Sequence, residues 1–221
     1  MKRKIVIGIA AVAVAIVAMA LIGMWLDFCN LEAVKWHIGG PKGEEGYEWL
    51  TNNTEGNATV LAWWDYADGI QAISHRKVVI KEASENIKET IAPYNSPGRP
   101  WRKIEYELWY PFESEDKVRD VANFFIAENS NESMRIARKY GADYALVVYP
   151  DDIWKFPAIV LASGKEPDDY ITGNFTIESI ERREVVKKET VGIKIKMIYG
   201  DNVEGFEKVF DNRKMRIYKL E

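Results

Sequence analysis

A chain of 221 residues, 47% hydrophobic and 12% aromatic, holds enough apolar material for one packed core and leaves little for a second full domain. Thirty Lys and Arg against 34 Asp and Glu give a formal charge of −4, so there is no basic footprint for nucleic acid or another polyanion. The single cysteine, Cys29, excludes an internal disulfide framework and a cysteine-built metal cage, leaving packing and charge networks to supply stability.

The first element is apolar. Ile5 to Leu26 contains no charged side chain, and at about 1.5 Å per residue a helix of this length reaches roughly 33 Å, the thickness of a hydrocarbon core. Lys2, Arg3 and Lys4 precede it and Asp27 follows, which predicts a cytoplasmic N-terminus and an extracytoplasmic remainder on a single-pass anchor, with Trp25 at the outer interface. The competing reading is a cleaved signal peptide ending near Ala18-Met19-Ala20. Its apolar stretch usually runs only about 7–15 residues, so the anchor is the expected reading, at the cell membrane. Leu26-Asp27-Phe28 before Cys29 lacks the small residues of a lipoprotein signal. Asn-x-Ser/Thr triplets at Asn52, Asn57, Asn131 and Asn174 are glycosylation candidates compatible with an exported surface.

Residues 27–46 read as a juxtamembrane tether, because Gly39 to Gly46 is Gly-rich and lacks apolar side chains. The folded part is expected to begin at Tyr47, with a short helix around Glu48-Trp49-Leu50. Thr59 to Trp64 is a strand, and Asp65 is the natural N-cap of a helix through Ile70 and Ile73. Lys77 to Ile80 is a second strand and Ala92 to Pro111 a proline-rich loop. Asp116–Ile126 and Glu132–Tyr140 have helical spacing, with Gly141 as the stop of the second. Tyr144 to Tyr149 is a buried strand. From Asn174 onward apolar and polar residues alternate, as at Ile193, Ile195 and Met197, which predicts an antiparallel sheet. The fold class is therefore α+β: an anchor over 1–26, a mixed core over 47–171 and a β-rich C-terminal unit over 172–221.

Chemistry is sparse. His37 and His75 belong to no metal or nucleophile pattern, and no phosphate-binding glycine loop occurs. Asp151-Asp152 and Asp168-Asp169 read as solvated loops rather than metal ligands. No catalytic residue, cofactor or metal is assigned.

The unusual cluster is Trp63-Trp64-Asp65-Tyr66, for which core packing and helix capping are the ordinary explanation. Trp63-Trp64-Asp65-Tyr66-Ala67 nevertheless resembles the WWDYG motif of the oligosaccharyltransferase catalytic subunit, with alanine where the motif has glycine. Glu48-Trp49-Leu50, Val60-Leu61-Ala62 and Ile70-Gln71-Ala72-Ile73 with Arg76 are similar to the flanking family sequence, as is Ala137 to Val147. Asp152-Ile153-Trp154-Lys155-Phe156-Pro157-Ala158-Ile159 fits the DxxKxxxI motif of archaeal and eukaryotic members. The resemblance runs from Tyr47 to Val160, and no family motif follows Ile171.

The resemblance implies the soluble C-terminal domain of that subunit and a pocket for the Ser or Thr of an acceptor sequon, lined by Trp63, Trp64, Asp65, Asp152, Lys155 and Ile159. A hydroxyl donates to the Asp65 carboxylate and accepts from an indole N–H, Ile159 offers apolar contact to a threonine methyl, and Lys155 supports Asp65 or Asp152. The family's catalytic half is a multi-span bundle carrying metal-binding carboxylates and the lipid-donor site. This chain offers one helix and none of those loops, so it is expected not to transfer glycans alone. The partners implied are the acceptor polypeptide and a separate multi-span chain. The alternative is a non-catalytic surface module that retains the fold only.

Overall fold

The computed structural model describes residues 12–25, 40–94, 111–172, 175–185, 187 and 193–221. Lys2 to Lys4, Asp27, Cys29, His37, Asn174 and most of the Ala92–Pro111 loop lie outside them. Residues 12–25 form helix α1, with Val14, Val17, Met19 and Trp25 exposed. Among the described residues no helix is long and apolar enough to cross a membrane.

The tether expectation is corrected from Gly40 onward. Helix α2 runs Gly40–Asn53. Its buried positions Gly43, Gly46, Tyr47 and Leu50 recur at the spacing of one helical face, a pattern the composition obscured because two of the four are glycines. Gly46 is needed for close approach: a Cβ there would sit 2.2 Å from Met215 Sδ. Asn212 ties the start of the helix down, donating from Nδ2 to the Lys42 carbonyl and, at 2.9 Å, to Glu45 Oε2.

One five-stranded sheet organises the rest, in the order β2-β1-β3-β5-β4. Strands β1 (Thr59–Leu61), β2 (Lys77–Val78) and β3 (Tyr144–Val148) are mutually parallel where they pair, whereas β5 (Met215–Leu220) runs antiparallel to both β3 and β4 (Phe206–Asp211). The central β3 buries four of its five residues, as its continuous apolar sequence requires.

Both predicted middle helices are present: α5 (Glu115–Ile126) capped by Ser114, and α6 (Ser130–Tyr140) capped by Asn129. They follow α3 (Ala67–Ala72) and α4 (Glu85–Thr90) in the chain. Gly141 ends α6 in the left-handed conformation at φ 60°, where glycine avoids the Cβ penalty. Beyond β3 come α7 (Asp151–Trp154), α8 (Phe156–Ala162) and α9 (Ile177–Glu181).

Two strand expectations are corrected. The strand begun at Thr59 stops at Leu61, and Trp64–Tyr66 is a 3-10 turn leading into α3. Ile193–Tyr199 is a helix, α10, not a strand. The Ile-Lys-Ile-Lys alternation places Lys194 on an outer face if extended, yet Ile193, Lys194, Ile195, Met197 and Ile198 are all buried. A short helix surrounded by protein leaves no polar face for sequence to report. The antiparallel pair at the C-terminus is present, and through β5 it joins the middle of the common sheet.

Candidate functional site

Strands β1 and β3 lie side by side and parallel, with Val60 opposite Tyr144 and Leu61 opposite Ala145. The residues that follow each strand therefore emerge at the same edge, the position at which open parallel sheets bind ligands. Trp63 to Tyr66 leaves β1 there and Asp151 to Lys155 leaves β3. The two sequence motifs, 85 or more residues apart, thus meet because their strands are neighbours.

Trp63 and Trp64 are 1% and 7% exposed, and their rings lie 3.9 Å apart between centroids at 32°. The Asp65 side chain keeps 34% of its surface. It caps nothing: the N-cap position of α3 is Tyr66, with no side-chain cap, which removes the ordinary structural explanation for this carboxylate. Lys155 Nζ approaches Asp65 Oδ2 at 3.4 Å, sits 4.5 Å from the Tyr66 ring centroid and is 3.4 Å from the Tyr66 hydroxyl. Of the two acids Lys155 was expected to support, Asp65 is its partner.

Asp152 plays a different part. It is fully buried, and its Oδ2 accepts from the Val148 N–H at 2.6 Å, closing the turn back onto the end of β3. Its Oδ1 lies 2.7 Å from Lys194 Nζ, also fully buried, and this ammonium sits 3.8 Å from the Phe125 ring centroid. The two atoms form an ion pair by distance, although their angle is not that of a hydrogen bond. Burial pushes the Lys194 ammonium below its ordinary pKa, and the Asp152 charge opposes that shift. Asp151 accepts from Lys214 Nζ at 3.2 Å. The solvated-loop reading of Asp151-Asp152 is therefore corrected, since each acid holds a lysine. Burial, then the charges of Asp152 and its neighbours, raises the Tyr47 and Tyr66 hydroxyls, so both stay protonated.

Ile159 is fully buried on α8, one helical turn beyond Lys155, whose carbonyl accepts from the Ile159 N–H at 3.1 Å. Of the six predicted side chains, Asp65 and Lys155 present the exposed polar surface, and the Trp pair, Asp152 and Ile159 stand behind them. Sequence reasoning missed Lys194, Lys214 and Tyr66 as members of this cluster. Tyr66 lay inside the motif and carried a signal, whereas the two lysines carried none.

The sequons are placed unequally. Thr54, two residues after Asn52, donates to the Leu50 carbonyl and accepts from Arg76 Nε, each at 2.7 Å. Asn131 lies within α6, and buried Ser133 donates to the Phe124 carbonyl at 2.8 Å. Asn57 is exposed in the turn before β1.

No family model matches the chain. The chain is 26% identical over 163 residues to the dolichyl-diphosphooligosaccharide–protein glycosyltransferase subunit STT3B of Oryza sativa subsp. japonica, covering 66% of this chain and 19% of that protein. It thus spans under a fifth of that relative's length. Among solved structures it is similar to the oligosaccharyltransferase of Archaeoglobus fulgidus tethered to an acceptor peptide containing the NVT sequon, at TM-score 0.50 and 15% identity over 78% of this chain and 24% of that one. It is similar also to a crystallised C-terminal globular domain of oligosaccharyltransferase from the same organism, at TM-score 0.49 and 18% identity over 80% of this chain and 95% of that domain. The resemblance drawn from the motifs holds: this chain is similar to oligosaccharyltransferase subunits and, at TM-score 0.50, shares the fold of part of the archaeal enzyme.

Proposed function

We propose that this protein binds the Asn-x-Ser/Thr acceptor sequon as a membrane-anchored, extracytoplasmic component of N-glycosylation, working beside a separate multi-span catalytic chain. One observation carries the reading. The two motifs converge where β1 and β3 end, and Lys155 of the second reaches Asp65 of the first at 3.4 Å, leaving that carboxylate partly exposed and free of a capping role. A sequon hydroxyl donates to Asp65, while Lys155 at 3.4 Å orients the carboxylate. The acceptor peptide bound to the related archaeal enzyme supports the same class of ligand.

The anchor is part of the proposal. Residues 5–26 carry no charge, and the described stretch 12–25 is helical and outwardly apolar, as a segment facing lipid would be. The basic residues before it orient the domain outward.

The test is a titration of the full chain in detergent micelles, following tryptophan indole signals as Asn-x-Thr and Asn-x-Val peptides are added. An unmade hydroxyl bond costs about 1–3 kcal/mol, so the Thr peptide should bind roughly 5- to 150-fold more tightly. Equal binding by both peptides removes the proposal. A second reading has its own observation: Trp63, Asp152 and Ile159 are core residues, as expected of a surface module that kept only the fold. It predicts that Asp65→Ala leaves every peptide response unchanged.

A further inference from the structure

The lysines that hold Asp152 of the second motif and its neighbour Asp151, Lys194 and Lys214, both come from the last thirty residues of the chain, where no family motif was found. Helix α10 is fixed independently of the acid it serves. At one end the Ile193 N–H donates to the Ala127 carbonyl at 2.8 Å, just past α5. At the other, the Tyr218 hydroxyl donates to the Met197 carbonyl at 3.0 Å and Arg216 donates to that of Ile198. Lys194 is thereby delivered to one point in the core, 2.7 Å from Asp152 Oδ1. A fully buried carboxylate requires a partner of opposite charge, and the remaining oxygen is occupied by the Val148 N–H. Asp152 therefore stays where Lys194 and the end of β3 put it. Lys155 follows three residues later on the same helical side, and its N–H donates to the Asp151 carbonyl at 3.1 Å. Its ammonium is then in reach of Asp65.

We infer that Lys194 is a positioning residue: through the buried Asp152 it fixes the 151–155 turn and so sets the Asp65–Lys155 pair at the sheet edge. Its bearing on acceptor binding rests on the sequon reading above, but the geometric claim does not. The C-terminal segment is then a buttress of the site, and removing the Lys194 charge disorders the pair at the surface without touching it.

The experiment uses the full chain in micelles with 15N-labelled lysine. The Lys155 ammonium signal is recorded with and without Asp65→Asn, in the native chain, in Lys194→Met, and in the double variant Asp152→Asn/Lys194→Met. The double variant guards against unfolding, because replacing both members of a buried pair is often tolerated where removing one is not. In the native chain, Asp65→Asn shifts the Lys155 signal. In the double variant the thermal midpoint stays close to native, that shift is lost, and affinity for an Asn-x-Thr peptide falls at least tenfold. A Lys155 signal that still responds to Asp65→Asn in the double variant overturns the positioning role, and so does loss of its folded state, which would make the pair a fold determinant only. If Lys155 uncouples while the native chain binds Thr and Val peptides equally, the positioning role stands and the sequon reading falls.

Discussion

Gly69→Ala sets two physical effects of opposite sign against each other. Gly69 lies inside α3, where alanine is favoured over glycine by about 1 kcal/mol on helix propensity alone. A Cβ at this position, however, would meet Tyr47 Cζ at 2.4 Å, Cε2 at 2.6 Å and the hydroxyl oxygen at 2.7 Å. These atoms belong to a rigid ring that is fully buried, so they cannot swing aside as a flexible side chain would. Overpacking of this kind costs about 1–3 kcal/mol, and the rigidity of the ring places it toward the upper end. The expected net is a loss of about 1–2 kcal/mol, or roughly 2–8 °C in Tm for a chain of this size. Urea and thermal unfolding of the full chain in micelles, followed by tryptophan fluorescence, measures it. Gly56→Ala is the control: nothing lies within 4 Å of a Cβ there, so its effect should stay within about 0.5 kcal/mol. A Gly69→Ala protein more stable than native would refute the close packing of α2 against α3, and with it the placement of Tyr47.

Three further outcomes are expected. Arg76 donates four hydrogen bonds, to the Thr51, Thr54 and Ser74 carbonyls and the Thr54 hydroxyl, and so closes the end of α2; Arg76→Ala should cost about 3 kcal/mol in urea unfolding with little rescue by Arg76→Lys, which lacks the planar fork. Burial raises the Asp120 pKa, but hydrogen bonds from Lys139 and Tyr140 outweigh it and hold this carboxyl below its ordinary value. Its contribution is therefore present above about pH 4 and lost as pH falls through the folded value, so the urea midpoint of Asp120→Asn should fall less steeply below pH 4 than that of the native chain. When the folded protein is offered to a membrane extract that glycosylates sequons, peptide mass mapping should find Asn57 modified and Asn131 unmodified, because Ser133 is buried and hydrogen-bonded; equal occupancy would contradict that burial.

Sequence alone determined the elements whose pattern is local. Apolar periodicity located α5 and α6 to within two residues of their starts, Gly141 ended α6, and the continuous run Tyr144 to Tyr149 marked the central strand, which ends one residue earlier at Val148. Two short motifs marked the candidate site, since Trp63 to Tyr66 and Asp152 to Ile159 are residue patterns that survive translation into one dimension. Three matters were decided only by the tertiary structure. Residues 40–46 became helix because Met215 and Asn212, some 170 positions away, accept a glycine-faced helix against them. Ile193–Tyr199 became helix while buried on nearly every side, which erases the polar face that distinguishes a period of 3.6 from one of 2. Lys194 was drawn to Asp152 because a buried charge is stabilised only by a partner at hydrogen-bond range, and that partner's position, like the meeting of the partly exposed Lys155 and Asp65, is set by the packing of strands and helices rather than by distance along the chain.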